Sequence, residues 1–516
     1  MKHNIYAVLS SFLMMIVLSA CTKLDEELYS DSAIDNFGKN QTQVNALVGP
    51  IYSTLKDHNL EWDGYLTMDG LAADMIVIPG FKGGDWGEPM FKEMMKHTWT
   101  ATSSGFNRAY NGPNAAIALC NQIYYQIDIN KGISDTDKQS ILAEIRGVRA
   151  FWYYTLCDHY GNVPIVTDFL SKEQPETKSR KEVYEFIVKE LTEVKDKLRS
   201  DVATPASYGK FTKGTAYTLL AKMYLNAQIW NPDGGSKWNE CLAACDSVMA
   251  MPYVLENNWK TNFIPHNEVS KEAIFSSVFR AGGSGIQNGI ATNTLHYLDP
   301  IGLGLKVNTY NGMAANPAYV KSFDTTDVRY SGSFLIGPMK DPQTGLILQT
   351  SHGRPLIHTV DVVMNDVDAE GIGWINQEEG ARVFKWDFEP GLATSMENDI
   401  HIFRLADVYL MKAEALIRSG GNNAIAAQLV NRLRERAFPG KADKLLGTIT
   451  LDDIYKERKY ELAWEGSTRQ DMVRFGTFLP ARPPFKLKAS DAKYLLFPIP
   501  QEAINANNKL KQNPGY

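Results

Sequence analysis

The side chains most able to do chemistry fall into three groups. Glu457, Glu461 and Glu465 recur every four residues late in the chain, so a helix there carries three carboxylates on one side. Paired carboxylates can serve as acid and base in glycoside hydrolysis. Lys456, Arg458, Lys459 and Arg469 lie close enough to draw the same carboxylates into ion pairs, and that reading is favoured. The second group is aromatic. Trp86 follows Asp85, Trp99 follows His97, and Trp62 precedes Asp63, Asp69 and Asp74. Flat rings can cover the C–H faces of a sugar, while carboxylates and amides bond its hydroxyls. The third group is thiol. Cys241 and Cys245 share a helical face with Val248, have no histidine near them in sequence, and read as packed core thiols.

Other chemistries are missing. The chain has no HExxH and no paired CxxC, and Gly209-Lys-Phe-Thr-Lys-Gly lacks the spacing of a phosphate loop. The Gly282-Gly283-Ser284-Gly285 run does not follow a strand and open a helix, so it reads as a loop. Asp366, Asp368 and Glu370 could hold calcium through oxygen ligands, although a solvated acidic loop is the favoured reading. No catalytic residue, metal or cofactor is therefore expected. A formal charge of −6 with no long basic run argues against nucleic acid, whose binders cluster Lys and Arg to displace counterions.

The N-terminus predicts export. Lys2 precedes an apolar stretch from Ile5 to Val17, and Leu18-Ser19-Ala20-Cys21 has the form of a lipobox. The apolar stretch is short for a membrane span of about 20 residues. The expected mature chain begins at Cys21, bears lipid there, and is anchored by several acyl chains. Acidic residues follow at Asp25, Glu26 and Glu27.

The elements that must position these residues are mainly helical. Apolar positions Ile141, Ile145, Val148 and Trp152 recur at helical spacing within 137–160. Further helices are expected over 180–198, 217–230, 238–249, 402–418, 424–437 and 451–474. Several are joined by Gly-rich turns into tetratricopeptide-like hairpins. Within 402–418, Ile402, Leu405, Ala406, Tyr409, Ala413 and Leu416 form one stripe opposite Arg404, Asp407, Glu414 and Arg418. After a signal peptide over 1–20, residues 21–516 read as one body. Its helical scaffold covers about 30–251 and 400–476. An early loop insertion covers about 61–102, a loop-rich insertion with short strands about 252–400, and an extended tail 477–516. Strand-like runs are expected at 274–279 and 334–336. Loops held on a rigid scaffold are where binding usually resides.

Several motifs in fixed order carry a resemblance. They are RGVRAFWYYTLCDHYGNVPIVT from Arg146 to Thr167, YGKFTKGTAYTLLAKMYLNA from Tyr208 to Ala227, and FRLADVYLMKAEAL from Phe403 to Leu416. ERKYELAWEGSTRQDMVRFG from Glu457 to Gly476, LLFPIPQEAIN and a terminal QNPGY complete the set. Behind a lipobox, this order resembles the RagB/SusD family of surface glycan-binding lipoproteins of Bacteroidetes. GGDWG at 83–87 followed by HTWT at 97–100 is similar to one branch of it, and the acidic residues after Cys21 resemble the surface-export signal of these lipoproteins. The resemblance implies helix pairs packed against an irregular half, a binding protein rather than an enzyme, and an oligosaccharide or polysaccharide ligand. It also implies a SusC-like TonB-dependent outer-membrane transporter as partner, with the lipoprotein as its lid. A peptide ligand within the same family and, from a different class, a surface glycoside hydrolase are the alternative readings. The family places ligand contacts in the early loop and the middle insertion. That adds Tyr297, Tyr310, Asn311 and Trp374 to the candidates, with Trp86 and then Trp99 foremost.

Overall fold

The computed structural model describes residues 41–59, 64–81, 86–280, 287–367 and 372–516. Cys21, Trp62, Asp63, Asp85, Asp368, Glu370 and the Gly282–Gly285 run lie outside the described residues.

The longer helices are α1 (Gln41–Asn59), α2 (Tyr65–Ala72), α3 (Pro89–Lys96), α4 (Gly105–Ile129), α5 (Asp135–His159) and α6 (Arg180–Val194). They continue as α7 (Lys213–Leu225), α8 (Trp238–Met249), α9 (Leu405–Arg418), α10 (Asn423–Ala437), α11 (Leu451–Glu461) and α12 (Thr468–Arg474). Sequence signals set many of their starts. Ser134 caps α5, Asn422 caps α10, and reciprocal capping boxes open α6 (Ser179 with Glu182), α7 (Thr212 with Thr215) and α11 (Thr450 with Asp453). Each cap satisfies an otherwise orphaned N–H and contributes about 1 kcal/mol. Hairpins α4–α5, α7–α8 and α9–α10 then stack, with α6 laid on α5 and α9 on α8. Gly147 on α5 allows a close approach, since a Cβ there would lie 2.3 Å from the Phe211 ring.

The mainly α architecture agrees with the periodicity, but three boundaries differ. The helix expected from Ile402 begins at Leu405 instead. Residues Ile400–Arg404 form a strand antiparallel to Ala273–Ser277, and this extended backbone turns Arg404 into the interior. The helix expected over 451–474 stops at Glu461. There Lys385 Nζ donates to the carbonyls of Glu461 and Ala463 at 2.9 and 2.7 Å, and Arg404 Nη2 donates to Glu461 O at 2.6 Å. Cations thus satisfy carbonyls that a helix end leaves bare. The chain turns at Trp464 (φ 65°) and Gly466 (φ 75°) before α12. The early segment, expected as loop, contains α2, α3 and the strand Ile76–Val77, which pairs with Ala314–Ala315 of the middle insertion.

One apolar core runs from the hairpins into the insertion, and a smaller one lies between α9, α10 and α11. Cys120, Cys157, Cys241 and Cys245 are buried free thiols; burial pushes Cys120 and Cys157 up to about 12. Among the described residues, no helix is long and apolar enough to cross a membrane.

Candidate functional site

The early loop and the middle insertion, distant in sequence, meet on one surface. Beyond the Ile76–Val77 pairing, Phe81 bridges Ile375, whose N–H donates to Gly80 O at 3.1 Å. Trp86 sits at φ 56° and donates its indole N–H to Tyr310 O at 2.7 Å. The indole lies on bare backbone: a Cβ at Gly312 would fall 2.5 Å from its Cζ2. Phe91 of α3 packs beside it at 5.7 Å between ring centroids. The backbone around Tyr310 is stitched to the preceding turn by Tyr310 N to Thr292 O (2.7 Å), Asn311 N to Leu295 O (2.8 Å) and Gly312 N to Asn293 O (2.8 Å). Thr309 Oγ1 adds a bond to His296 O at 2.8 Å. The segments bearing Tyr297 and Tyr310 are therefore fixed together. Their rings stay 40% and 54% exposed, while Trp86 is half-buried. Trp374 is also half-buried and donates its indole N–H to Asp366 Oδ2 at 2.8 Å.

Three candidates, Trp99, Asp69 and Asn311, are corrected by their surroundings, and a fourth, Asp74, is paired through one oxygen. Trp99 is fully buried, T-shaped to Tyr494 and Phe497 at 5.0 and 5.5 Å, and bonded to Tyr516 Oη at 2.7 Å. No face of it is free for a ligand. Asp69 is buried and accepts from His159 Nε2 at 2.8 Å. Asp74 pairs through Oδ2 with Lys459 Nζ at 3.0 Å, while its Oδ1 has no hydrogen-bond partner. Asn311 is buried and accepts from Arg382 Nη2 at 2.7 Å while donating to Gln377 O at 3.1 Å. Its role is to hold the loop from beneath. Burial pushes the Arg382 guanidinium down to about 10. Trp62 and Asp85, on undescribed residues, receive no placement.

Two polar groups at this surface went unread in the sequence. Arg354, half-exposed, pairs with Glu378, next to the Gln377 that holds Asn311. Beneath Tyr297, His296 is buried and pushed down to about 4 by that burial. Asp299 there accepts from the His296 N–H at 2.7 Å and from His358 Nε2 at 2.8 Å. Sequence separation hid both arrangements, because no periodicity links Arg354 or His358 to Tyr310.

The three late carboxylates belong to a buried charge lattice. Glu461 meets Arg404 at 2.6 Å, Arg436 at 2.7 Å and Arg329 at 2.8 Å. Glu457 meets Arg329 at 2.7 Å and Arg434 at 2.8 Å; Glu465 meets Arg404 at 2.6 Å and also Lys385. Burial would raise the Glu461 carboxyl, but Arg436, Arg404 and Arg329 outweigh it and hold it well below its ordinary value. A general acid must carry a proton near neutral pH, and this one cannot. Among the described residues, the one cluster with metal-ligand geometry is His266, Glu389 and Glu397, whose ligand atoms lie within 4.8 Å of one another. Asp366, a calcium candidate, is occupied by Trp374.

Residues 271–516 match the model of the SusD family, and residues 83–225 match the model described as starch-binding, associating with outer membrane. The starch-binding protein SusD of Bacteroides thetaiotaomicron is 27% identical over 436 residues, covering 77% of this chain and 76% of the relative. The SusD-like protein P25 of Formosa agariphila is 25% identical over 493 residues, covering 90% and 89%. Among solved structures, a SusD superfamily protein of Parabacteroides distasonis superposes with a TM-score of 0.75 at 19% identity, over 92% of this chain and 99% of that one. Surface glycan-binding protein A of B. thetaiotaomicron, in complex with laminarihexaose, superposes at 0.72 with 20% identity, over 92% and 99%. The chain belongs to the SusD/RagB family.

Proposed function

We propose that this protein is a non-catalytic glycan-binding lipoprotein of the outer membrane, exposed at the cell surface. It captures an oligosaccharide or polysaccharide and passes it to a SusC-like TonB-dependent transporter for import. The observation that carries the reading is the joined surface of Trp86, Tyr297 and Tyr310. There one indole is fixed by its N–H to the Tyr310 carbonyl, and two phenol rings remain open to solvent. Rings held this way cover sugar C–H faces without losing much conformational freedom on binding. The mostly neutralised carboxylates of 457–465 support binding without turnover. The names of the relatives, a starch-binding protein and a glycan-binding protein, point to the same class. The lipobox at 18–21 supports attachment through Cys21.

Titration calorimetry of the protein lacking residues 1–21, against starch, laminarin and a panel of plant and host glycans, tests capture. Heat from one glycan class, lost in Trp86→Ala, is the expected outcome. Heat from mixed peptides with silence toward every glycan would overturn the sugar reading. Radiolabelled palmitate incorporation that persists in Cys21→Ser would overturn the anchor. Co-purification with a TonB-dependent transporter tests the partnership.

A further inference from the structure

One groove lies away from the aromatic surface. It encloses about 520 Å³ between the α6–α7 connection, the strand Ala273–Ser277 and the loop before that strand. None of Trp86, Tyr297, Tyr310 or Trp374 lines it. This volume is within the roughly 300–1,000 Å³ of small-ligand sites.

Its lining has the chemistry of a saccharide site. Tyr208 is half-buried and fixed, because its hydroxyl donates to Asp399 Oδ2 at 2.7 Å. Asp399 is itself wholly buried and also accepts from Phe279 N at 2.7 Å and Arg280 Nη1 at 3.2 Å. The phenol ring thus keeps one orientation as a wall of the groove. The lining also holds a charged pair set slightly apart: Arg280 Nη2 and Glu268 Oε1 are 3.6 Å from each other, too long for a hydrogen bond. Glu268 Oε2 is shielded from solvent yet has no hydrogen-bond partner, which costs free energy that a donor would recover. Ser207, Ser270 and Ser276 also line the groove, but they are buried and their hydroxyls already bond Thr204 O, Asn262 Oδ1 and His401 Nδ1, so they shape its wall. A carboxylate that accepts, a guanidinium that donates and one immobile ring suit a vicinal diol on a ring with apolar C–H faces.

We propose that this groove is a second saccharide site, taking one or two rings of a neutral glycan. Glu268 accepts from adjacent hydroxyls, Arg280 donates to a ring or hydroxyl oxygen, and Tyr208 covers the sugar face. The proposal rests on the protein being a glycan binder, and it adds a contact on the helical side that the loop surface cannot provide.

Saturation-transfer NMR with maltotriose and laminaritriose tests it. In Trp86→Ala/Tyr310→Ala, at least one trisaccharide still receives saturation. Adding Glu268→Gln, or Val269→Trp at the exposed rim, reduces that signal at least fivefold with the unfolding midpoint unchanged. Signal from the wild type but none from the double variant would overturn the second site and leave the loop surface as the whole. Signal that ignores both Glu268→Gln and Val269→Trp would place the contact elsewhere and also overturn it. Silence of the wild type toward both trisaccharides, with a polymer still giving calorimetric heat, would sink the groove alone. Silence toward polymer as well would sink the glycan reading itself.

Discussion

Around Trp99 every ring is enclosed. Its indole N–H reaches Tyr516 Oη at 2.7 Å, that hydroxyl donates to Leu496 O at 2.8 Å, and Tyr494, Phe497 and Phe106 close its faces. Around Trp86 the same kind of side chain is held by a backbone carbonyl and a glycine floor, with Tyr310 beside it 54% exposed. Both regions give the indole N–H a hydrogen-bond partner, as aromatic residues with an N–H usually require. They differ in what covers the rings. At Trp99 the covering comes from the last quarter of the chain, which folds back over α4 and α5. At Trp86 nothing in the described chain covers Tyr297 or Tyr310 to the same degree. One cluster is closed inside the core, whereas the other leaves its phenol rings open to solvent. The three late carboxylates repeat the lesson, because arginines cover them as completely as rings cover Trp99.

The largest way to break this comparison is Glu461→Ala. Removing that carboxylate leaves Arg404, Arg436 and Arg329 short of their shared partner. Truncating one member of a buried charge group costs about 3–5 kcal/mol, and about 5 kcal/mol is expected here from chemical denaturation. If stability held and glycan affinity fell, the lattice would be functional and the division between regions wrong. Next comes Trp99→Ala, expected to cost about 4 kcal/mol through cavity formation. Calorimetry on the folded fraction should give unchanged affinity. A loss of affinity per folded molecule would return Trp99 to the site.

The helices were legible because their signals are local. The bounds of α8 follow from the apolar spacing of Cys241, Cys245 and Val248, and the capping boxes at Ser179 and Thr450 mark starts that neighbouring residues decide. The break at Glu461 was not legible. It depends on Lys385 and Arg404 arriving from other segments to take its carbonyls, and a helical period carries no trace of them. Trp99 misled for the same reason. A tryptophan beside a histidine in a loop reads alike whether Tyr494 and Tyr516 come to cover it or not. Trp86 and the tyrosines were read as residue types, but the bond joining Trp86 to Tyr310 links positions 224 residues apart. Asn311 shares the loop of Tyr310, but its side chain is turned inward onto Arg382.

Acid should separate the regions by a smaller effect. Burial holds His296 near about 4 and His401 near about 3, against about 6.5 in an unfolded chain. Between those values the unfolded chain binds more protons, so stability falls as pH drops from about 6.5. Glu272 adds to this lower down. Burial would raise it, yet Arg436 and Arg404 bring it to about 2, so its stabilisation is lost from about 4.3 downward. Urea midpoints measured from pH 7 to pH 3 should decline throughout. A flat curve down to pH 5 would show that the two histidines accept protons in the folded state.

The smallest change in stability is also the sharpest test of the open rings. Tyr310→Ala removes a side chain that is more than half exposed, so unfolding free energy should move by no more than about 0.5 kcal/mol. Affinity for the captured glycan should fall about tenfold, equivalent to about 1.4 kcal/mol. Tyr310→Phe keeps the ring and should restore most of that affinity, because the aromatic face and not the hydroxyl does the covering. Tyr310 holds Trp86 through its backbone carbonyl, which both substitutions preserve, so the indole stays in place and the measured loss belongs to the phenol ring. If Tyr310→Phe bound as poorly as Tyr310→Ala, the hydroxyl would be the recognising group. Tyr310 would then be a hydrogen-bonding contact, and stacking at this surface would rest on Trp86 and Tyr297.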